Sequence, residues 1–435
     1  MSKEKGFISL LPGDKIVWMI ALLLSMVSLV TIFSSTSTLA AQEHVSRIAL
    51  ASKQMFTIAT GLLLIFVCCL VGQSHTFRLL SKWGFLLSFL LLVPLVLKLD
   101  LGFIKAQKIN DAFRTLNIFG VSFSVYEVVK VAMVMYIAWA IDHLKHDTLK
   151  WEAMAKASKN LTWLTKPFWK DVIYLFLPTL TVCVMILAGG TSSAIMTGIF
   201  LFLTMILGGV RVKPIILMGL LAIGLLAGCY GLYKASDGKM FTRFGTVESR
   251  ASMSADIDEV ENPRSKDTYT RALDRIRQPY GAEIAVKSGG IWGKGPGQST
   301  QKYKVSVIYE DYMYSFIIEE YGLITGIIVL MLYVSLMARG ILIVKNCKGN
   351  YEKIAVAGLC TMIVIQAMFH IIINCHIGIH TGQTLPLISH GMTSYLAFCI
   401  AFGVIISISR LAEKNLEEEA RRETLLNSAD DGEKE

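Results

Sequence analysis

The sequence predicts an all-α polytopic membrane protein. It has about ten transmembrane helices, cytoplasmic N- and C-termini, and one large extracytoplasmic loop between the seventh and eighth helices. Three observations predict this. Of 435 residues, 54% are hydrophobic and 17% charged, against about 25% charged in soluble domains, and the mean hydropathy is +0.55. The apolar residues fall in blocks of about 18–25, the length of a helix that crosses a hydrocarbon core of roughly 30 Å. Lys and Arg are dense in alternate connecting segments and sparse in the others. A water-soluble chain of this length would form roughly three domains, with too little polar surface to cover so much Leu, Ile, Val, Phe and Met.

The blocks lie at about 16–35, 55–73, 83–99, 121–141, 171–189, 192–209, 213–234, 313–338, 354–373 and 389–409. The first exceeds the usual 7–15 apolar residues of a signal core, and Thr38-Leu39-Ala40 is a poor cleavage site, so a retained first span is expected. With the N-terminus inside, the inward segments hold 22 Lys and Arg, whereas the short outer loops hold only Arg47, Lys53, Lys98, Lys105, Lys108 and Arg114. Long loops count little in this rule, so the basic segment 234–304 does not disturb it. Trp18, Trp83 and Trp139 fall at inner ends, as interfacial anchors do. Residues 1–410 read as one transmembrane domain. It includes an inner amphipathic stretch, 143–170, with Trp151, Trp163 and Trp169, and the outer loop 235–312. Residues 411–435 read as a charged cytoplasmic tail.

Composition also narrows partners. The net charge of +9 reflects basic residues set between apolar blocks, and no basic stripe with interleaved aromatics suggests nucleic acid. The eight cysteines lie in or beside apolar blocks without a CxxC pair, which argues for small buried hydrophobes rather than disulfides or zinc. Around His370, His376 and His380 the glycines Gly378 and Gly382 break the helix and no acid is near in sequence, so polar lining of an outer cavity is expected there and no metal.

Ionisable residues inside spans mark function by default. Glu127 and Lys130, at i and i+3, share a helix face about two turns below the outer surface. Two readings are open: an ion pair that joins helices, or a site for an anionic lipid headgroup. Asp311 stands where the outer loop enters the eighth span, with Glu319 and Glu320 on the same helix. A carboxylate there serves as a helix cap or as a general base for a hydroxyl. The run Gly289-Gly290-Ile291-Trp292-Gly293-Lys294-Gly295-Pro296-Gly297-Gln298-Ser299 lacks P-loop spacing and the Ser or Thr after its lysine. Its glycines suggest a tight turn against the membrane surface.

Together these residues resemble the SEDS family (shape, elongation, division and sporulation). The glycine run continues through Ser299-Thr300-Gln301-Lys302 to Asp311, then Glu319, Glu320 and Gly322, at the family's spacing. The Ser-x-Gln-Lys is more similar to the FtsW branch than to RodA. Thr381-Gly382-Gln383-Thr384-Leu385-Pro386-Leu387-Ile388-Ser389-His390-Gly391-Met392-Thr393-Ser394 resembles the family's TGxxLPFISYGGSS, and Arg114 with Ser124 to Lys130 resembles its RRW and QPSExxK segments. The chain departs from the pattern too: Ser-Val-Tyr stands before the glutamate, Gly189-Gly190-Thr191-Ser192-Ser193 replaces an acid-bearing PDLGT, the PExHT before the aspartate is absent, and Met392 replaces a glycine.

The resemblance implies a peptidoglycan glycosyltransferase that polymerises lipid II at the outer face of the cytoplasmic membrane, with a septal role in cell division. It implies Asp311 as catalytic base. Arg114, Lys130 and Lys302 would surround the leaving pyrophosphate, Glu127 would position Lys130, and Ser299, Gln301, Ser389 and Ser394 would supply further contacts. Gly289, Gly290, Gly293, Gly295, Gly297, Glu319, Glu320, Gly322, Pro386 and Gly391 would shape the site. No cofactor is required, although a divalent cation at the pyrophosphate is compatible with the chemistry. Lipid II and the growing glycan on undecaprenyl pyrophosphate are the implied substrates, and a class B penicillin-binding protein and other division membrane proteins the implied partners. A lipid II flippase or a RodA-like elongation polymerase are the competing readings. A transporter, however, distributes charges on both sides of a central path, whereas Arg114, Glu127, Lys130, Ser193, Lys302, Asp311, Ser389 and Ser394 are all assigned to the outer half.

Overall fold

Each of the ten apolar blocks coincides with a helix in the computed structural model. The described residues are 11–71, 74–100, 102, 104–109, 112–146, 166–236, 245, 260, 262, 265–375, 377 and 382–432. The expected inner amphipathic stretch 143–170 therefore lies largely outside them, as do His376 and His380. The helices are α1 (Lys15–Ser35), a short α2 (Ser37–Gln42), α3 (Arg47–Val71), α4 (Ser74–Lys82), α5 (Gly84–Val96), α6 (Val125–Lys145), α7 (Pro167–Leu187), α8 (Thr191–Leu207), α9 (Val212–Ala235), α10 (Lys266–Gly289), α11 (Met313–Asn346), α12 (Asn350–Asn374) and α13 (Met392–Gly432).

Seven of these (α1, α3, α7, α9, α11, α12 and α13) are long and apolar enough to cross a membrane, and α4 with α5 forms an eighth candidate bent by 42°. The other two blocks are less regular. α8 has 17 residues, and α6 carries Glu127, Lys130, Asp142 and Lys145. The chain is a multi-pass membrane protein built from helices.

Local chemistry explains the irregular elements. α7 opens with Pro167 and contains a π turn at Val172–Phe176 ahead of Pro178. Proline has no N–H for the carbonyl four residues back. The Tyr174 carbonyl instead accepts a hydrogen bond from Tyr136 Oη on α6 at 3.0 Å. α6 begins at Val125, four residues later than the apolar block, because Val121–Ser124 pairs as a strand.

That strand belongs to a three-stranded antiparallel meander, an addition to the helical layout. β1 (Ile104–Ile109), β2 (Ala112–Ile118) and β3 (Val121–Ser124) lie in sequence order, with Ile118 opposite Val121. Phe119 and Gly120 both have positive φ, the conformation a two-residue hairpin turn demands. Asn117 Oδ1 accepts from Gly120 N at 2.7 Å across it.

Side-chain contacts sort the helix ends into two sets. At one end, Asp14 caps α1 by accepting from Ile16 N and Val17 N, takes a hydrogen bond from Arg339 Nε of α11 at 2.9 Å, and donates its own N–H to Ser409 Oγ of α13. At the other end, Ser34 of α1 meets Glu320 of α11, Ser315 of α11 meets Asn374 of α12, and Ser124 meets Thr393 of α13. Of the seven membrane-length helices, α12 and α13 are the most enclosed. α9 buries only Pro214, Ile215 and Met218 and stands at the periphery. α3 and α13 approach closely at Gly61 and Gly403, where an added Cβ would lie 2.5 Å from Cys399 Sγ and 2.8 Å from Cys68 Cβ.

Candidate active site

Asp311 sits in the turn that leads into α11, and its backbone is fixed on both sides. Its N–H donates to Val307 O and its carbonyl accepts from Asn374 Nδ2, each at 3.1 Å. Asn374 Oδ1 in turn accepts from Ser315 N and Ser315 Oγ, which joins the start of α11 to the end of α12. The segment 382–394 then wraps this turn. Ser389 Oγ donates to Glu310 O at 2.7 Å and accepts from Leu385 N, while His390 N donates to Tyr309 O at 2.9 Å. Pro386 O accepts from the buried Tyr333 Oη at 2.6 Å, and the hydroxyls of Ser394 and Thr384 pair at 3.2 Å. The Asp311 side chain stays partly exposed and faces Gly382, where a Cβ would lie 3.3 Å from Oδ2. Gly382 also has φ +59°, so glycine serves there both for conformation and for space. Burial, followed by the negative charges of Glu310, Glu43 and Asp311, pushes the Tyr309 phenol up to about 12, so that phenol stays protonated beside the carboxylate.

The residue after Gly382 connects Asp311 to a second cluster. Lys130 is 1% exposed, and its ammonium donates to Glu127 Oε1 at 2.8 Å, Gln366 Oε1 at 2.7 Å and Gln383 Oε1 at 3.2 Å. An ammonium has three donors, so Lys130 is saturated. Gln366 Nε2 closes the ring on Glu127 Oε2 and Thr384 O, and Gln383 Nε2 donates to Ser193 Oγ. The buried His370 ring pairs Nδ1 with Gln383 O and accepts from Tyr314 N on Nε2. It is thus a structural link between α12, α11 and this segment.

Arg114, on β2, completes the arrangement. Its Nε lies 3.7 Å from the position of a Cβ on Gly190, the same point that is 3.5 Å from Ser193 Oγ. Arg114 Nε and Thr191 Oγ1 are buried without hydrogen-bond partners, and Gly190 gives the N-terminus of α8 no side-chain cap. A contact chain therefore runs from Ser193 through Gln383 to Lys130, and through Gly382 to Asp311, with Arg114 beside Gly190 near its Ser193 end. The chain holds one partly exposed acid and one saturated cation, and a cation with an unused donor, Arg114, lies at its edge.

Lys302, Ser299 and Gln301, expected at a pyrophosphate, do not join this cluster and lie in a second one. Lys302 is also 1% exposed. It spends its three donors on Gly297 O at 2.7 Å, Ser34 Oγ at 3.3 Å and Glu320 Oε1 at 3.4 Å. Glu320 further accepts from Gly297 N and Ser299 N. Glu319 accepts from Lys294 Nζ, Ser299 Oγ, Thr300 N and Gln301 N. Both carboxylates are fully buried, so the basic and hydroxyl groups of this loop are committed to neutralising them. The glycines bring the loop close enough. Lys294 N and Gly295 N donate to Glu319 O and Glu320 O, and a Cβ on Gly289, Gly293 or Gly322 would stand 2.2–2.4 Å from the facing backbone. Gly290, Gly293, Gly295, Gly297, Gly322 and Gly391 all have positive φ.

Sequence reasoning did not single out Gln366 or Asn374; it read Gly382 only as a helix breaker and family position, and Gln383 only as family pattern. A lone Gln inside the apolar block of α12 was the available signal. Among the described residues no group of three His, Cys, Asp or Glu converges to hold a metal ion.

Known proteins resemble this chain along nearly its whole length. A family model described as "Cell cycle protein", covering FtsW, RodA and SpoVE, matches residues 14–414. The "Probable peptidoglycan glycosyltransferase FtsW" of Caulobacter vibrioides is 30% identical over 190 residues, spanning 43% of this chain and less than half, 45%, of that protein. "Stage V sporulation protein E" of Bacillus subtilis is 26% identical over 91% of this chain and 97% of its own length. Among solved structures, a crystal structure of the Thermus thermophilus rod shape determining protein RodA superposes with a TM-score of 0.54 at 16% identity, covering 92% of this chain and 98% of that one. A chain from work described as "Structural coordination of polymerization and crosslinking by a peptidoglycan synthase complex" gives 0.57 at 19% identity, covering 92% and 98%. At these identities the structural likeness establishes the fold.

Proposed function

The chain belongs to the FtsW/RodA/SpoVE family of cell cycle proteins, and from that membership we propose that it is a peptidoglycan glycosyltransferase that polymerises lipid II at the outer face of the cytoplasmic membrane. The observation that carries the proposal is the Asp311 carboxylate, partly exposed in the turn that opens α11 and facing Gly382, the residue before Gln383 of the Lys130 cluster.

Asp311 accepts the proton of the acceptor sugar's 4-hydroxyl. That oxygen attacks the anomeric carbon of the donor, and undecaprenyl pyrophosphate departs with inversion. The leaving group gathers negative charge, which a pre-placed cation stabilises. Arg114, with its unused Nε, is the cation assigned to that task. Lys130, fixed by Glu127, Gln366 and Gln383, positions the segment that carries Gly382 against Asp311. A divalent cation at the pyrophosphate would be compatible with this chemistry.

General acid–base help contributes roughly 10²–10⁴-fold. Purified Asp311→Asn protein is expected to insert and melt normally and to lose polymerisation by about that factor. Polymerisation at the wild-type rate would remove Asp311 from the role.

The septal assignment follows relatives named FtsW. The partner class, a penicillin-binding transpeptidase of class B beside other division membrane proteins, is what the family resemblance implies; a structural neighbour described as coordinating polymerization and crosslinking in a peptidoglycan synthase complex supports a crosslinking partner. Depletion in cells separates division from elongation: filaments support the septal role and rounded cells oppose it.

A further inference from the structure

α11 begins without a cap of its own. The amides of a helix's first turn have no partner inside the helix, and the residue at the cap position normally supplies one from its side chain. In α11 that residue is Tyr312, which makes no such bond. The first intrahelical bond runs from Phe316 N to Tyr312 O at 3.1 Å. Tyr314 N and Ser315 N, the second and third amides of α11, are nonetheless paired. Tyr314 N donates to His370 Nε2 at 3.4 Å, and Ser315 N donates to Asn374 Oδ1 at 3.0 Å. His370 and Asn374 stand four residues apart on α12 and so share one face of it. A neighbouring helix therefore caps α11.

The local alternative for this task is Asp311. An aspartate that caps a helix accepts from the amides two and three residues ahead of it. For Asp311 these belong to Met313 and Tyr314, and His370 takes the second. The diversion matters for chemistry, because a carboxylate committed to backbone amides is a weaker base.

Asn374 does the complementary work of holding the backbone. Its carboxamide has two donors and two acceptor sites, and all four are used. Nδ2 donates to Asp311 O at 3.1 Å and to His370 O at 2.9 Å, while Oδ1 accepts from Ser315 N and from Ser315 Oγ at 2.8 Å. An aspartate in its place would lack both donors. The second ring nitrogen of His370, Nδ1, pairs with Gln383 O at 2.7 Å. That bond ties the start of α11 to the residue after Gly382, which faces the Asp311 carboxylate. Both side chains are 1% exposed, so they act on a substrate only through the groups they hold.

We propose that His370 and Asn374 are positioning residues for the general base: they cap α11 from outside, so that Asp311 is not drawn into the cap, and they fix its backbone against the segment that carries Gly382. This role presupposes that Asp311 is the base of the glycosyl transfer proposed above.

The test is polymerisation of lipid II by the purified full-length protein, with melting measured in parallel. His370→Leu, His370→Gln, Asn374→Ala and the isosteric Asn374→Asp are each made alone and together with Asp311→Asn. Misplacing a reacting group by about 1 Å costs up to about 10²-fold. His370→Leu, Asn374→Ala and Asn374→Asp should therefore slow turnover at saturating lipid II by as much as about 10²-fold, with the half-saturating concentration little changed. His370→Gln, which still offers an acceptor and a donor, should recover most of the rate. In the Asp311→Asn background none of the four should slow the residual reaction further, because the base they position is gone. Asn374→Asp alters no side-chain volume to speak of and keeps the comparison usable should the apolar variants not fold. An equal loss with and without the Asp311 carboxylate overturns the proposal in favour of a purely structural role, as does a loss that only follows a fall in melting temperature. Unaltered turnover in the Leu, Ala and Asp variants, with Asp311→Asn inactive, overturns this inference alone. Wild-type polymerisation by Asp311→Asn overturns the base assignment on which it rests.

Discussion

Two buried lysines at the same end of this molecule have nearly identical surroundings by count and opposite consequences. Lys130 and Lys302 are each 1% exposed, and each has all three donors occupied. Lys130 donates to one carboxylate and two side-chain amides, and one of those amides follows the glycine that faces Asp311. Lys302 donates to one carboxylate, one hydroxyl and one carbonyl, inside a loop whose other polar groups are turned onto Glu319 and Glu320. The first lysine braces a cluster that still exposes an acid and leaves an arginine donor unused. The second closes a clamp around two buried carboxylates, where Gln301 Oε1, an acceptor, is left without a partner. A buried cation in a membrane protein is therefore not by itself a ligand site; what its neighbours leave unpaired decides the matter.

Substitutions can break or sharpen this contrast. The largest effect is expected at Asp311, where the Asn variant described above loses activity without losing stability. Next in size is Lys302→Met, which strands Glu320. Removing one partner of a buried pair costs about 3–5 kcal/mol, so thermal melting should fall sharply, with polymerisation falling only in proportion to the folded protein. A Lys302→Met protein that melts normally but cannot polymerise would return Lys302 to the substrate site. Arg114→Gln should do the reverse: an unchanged melting temperature, with polymerisation about 10²-fold slower, the size seen when one transition-state donor is removed. A smaller effect is expected for Gly382→Ala. A side chain at φ +59° costs roughly 1 kcal/mol and crowds the Asp311 carboxylate, so the reaction should slow severalfold with a modest drop in melting temperature. Unaltered kinetics in that variant would mean the two residues do not work together.

Much of the fold was legible in one dimension. Ten apolar blocks became ten helical segments because the pattern of a membrane helix is local: roughly twenty apolar residues between polar ends suffice. The meander at 104–124 was harder, since its strands are short and half polar. The alternation in Ala112-Phe113-Arg114-Thr115-Leu116-Asn117-Ile118 and the Asn117 turn were its only signals. In the site, Asp311, Glu127 and Lys130 stood out because an ionisable group is conspicuous against apolar neighbours. Gln366 and Asn374 did not, because a neutral amide in an apolar helix is unremarkable until its partners are known.

The sequence by itself determined that this is a multi-pass helical membrane protein of the FtsW/RodA/SpoVE family, and it located the glycine loop, the two glutamates and Asp311 along the chain. Those features depend on composition and short spacing. Only the tertiary structure decided which cations are available. The partners that saturate Lys130, Gln366 and Gln383, lie 236 and 253 residues away in sequence, and Ser34, which helps to saturate Lys302, lies 268 residues away. Hydrogen-bond capacity is filled by whatever folds alongside, and no spacing rule along the chain carries that information.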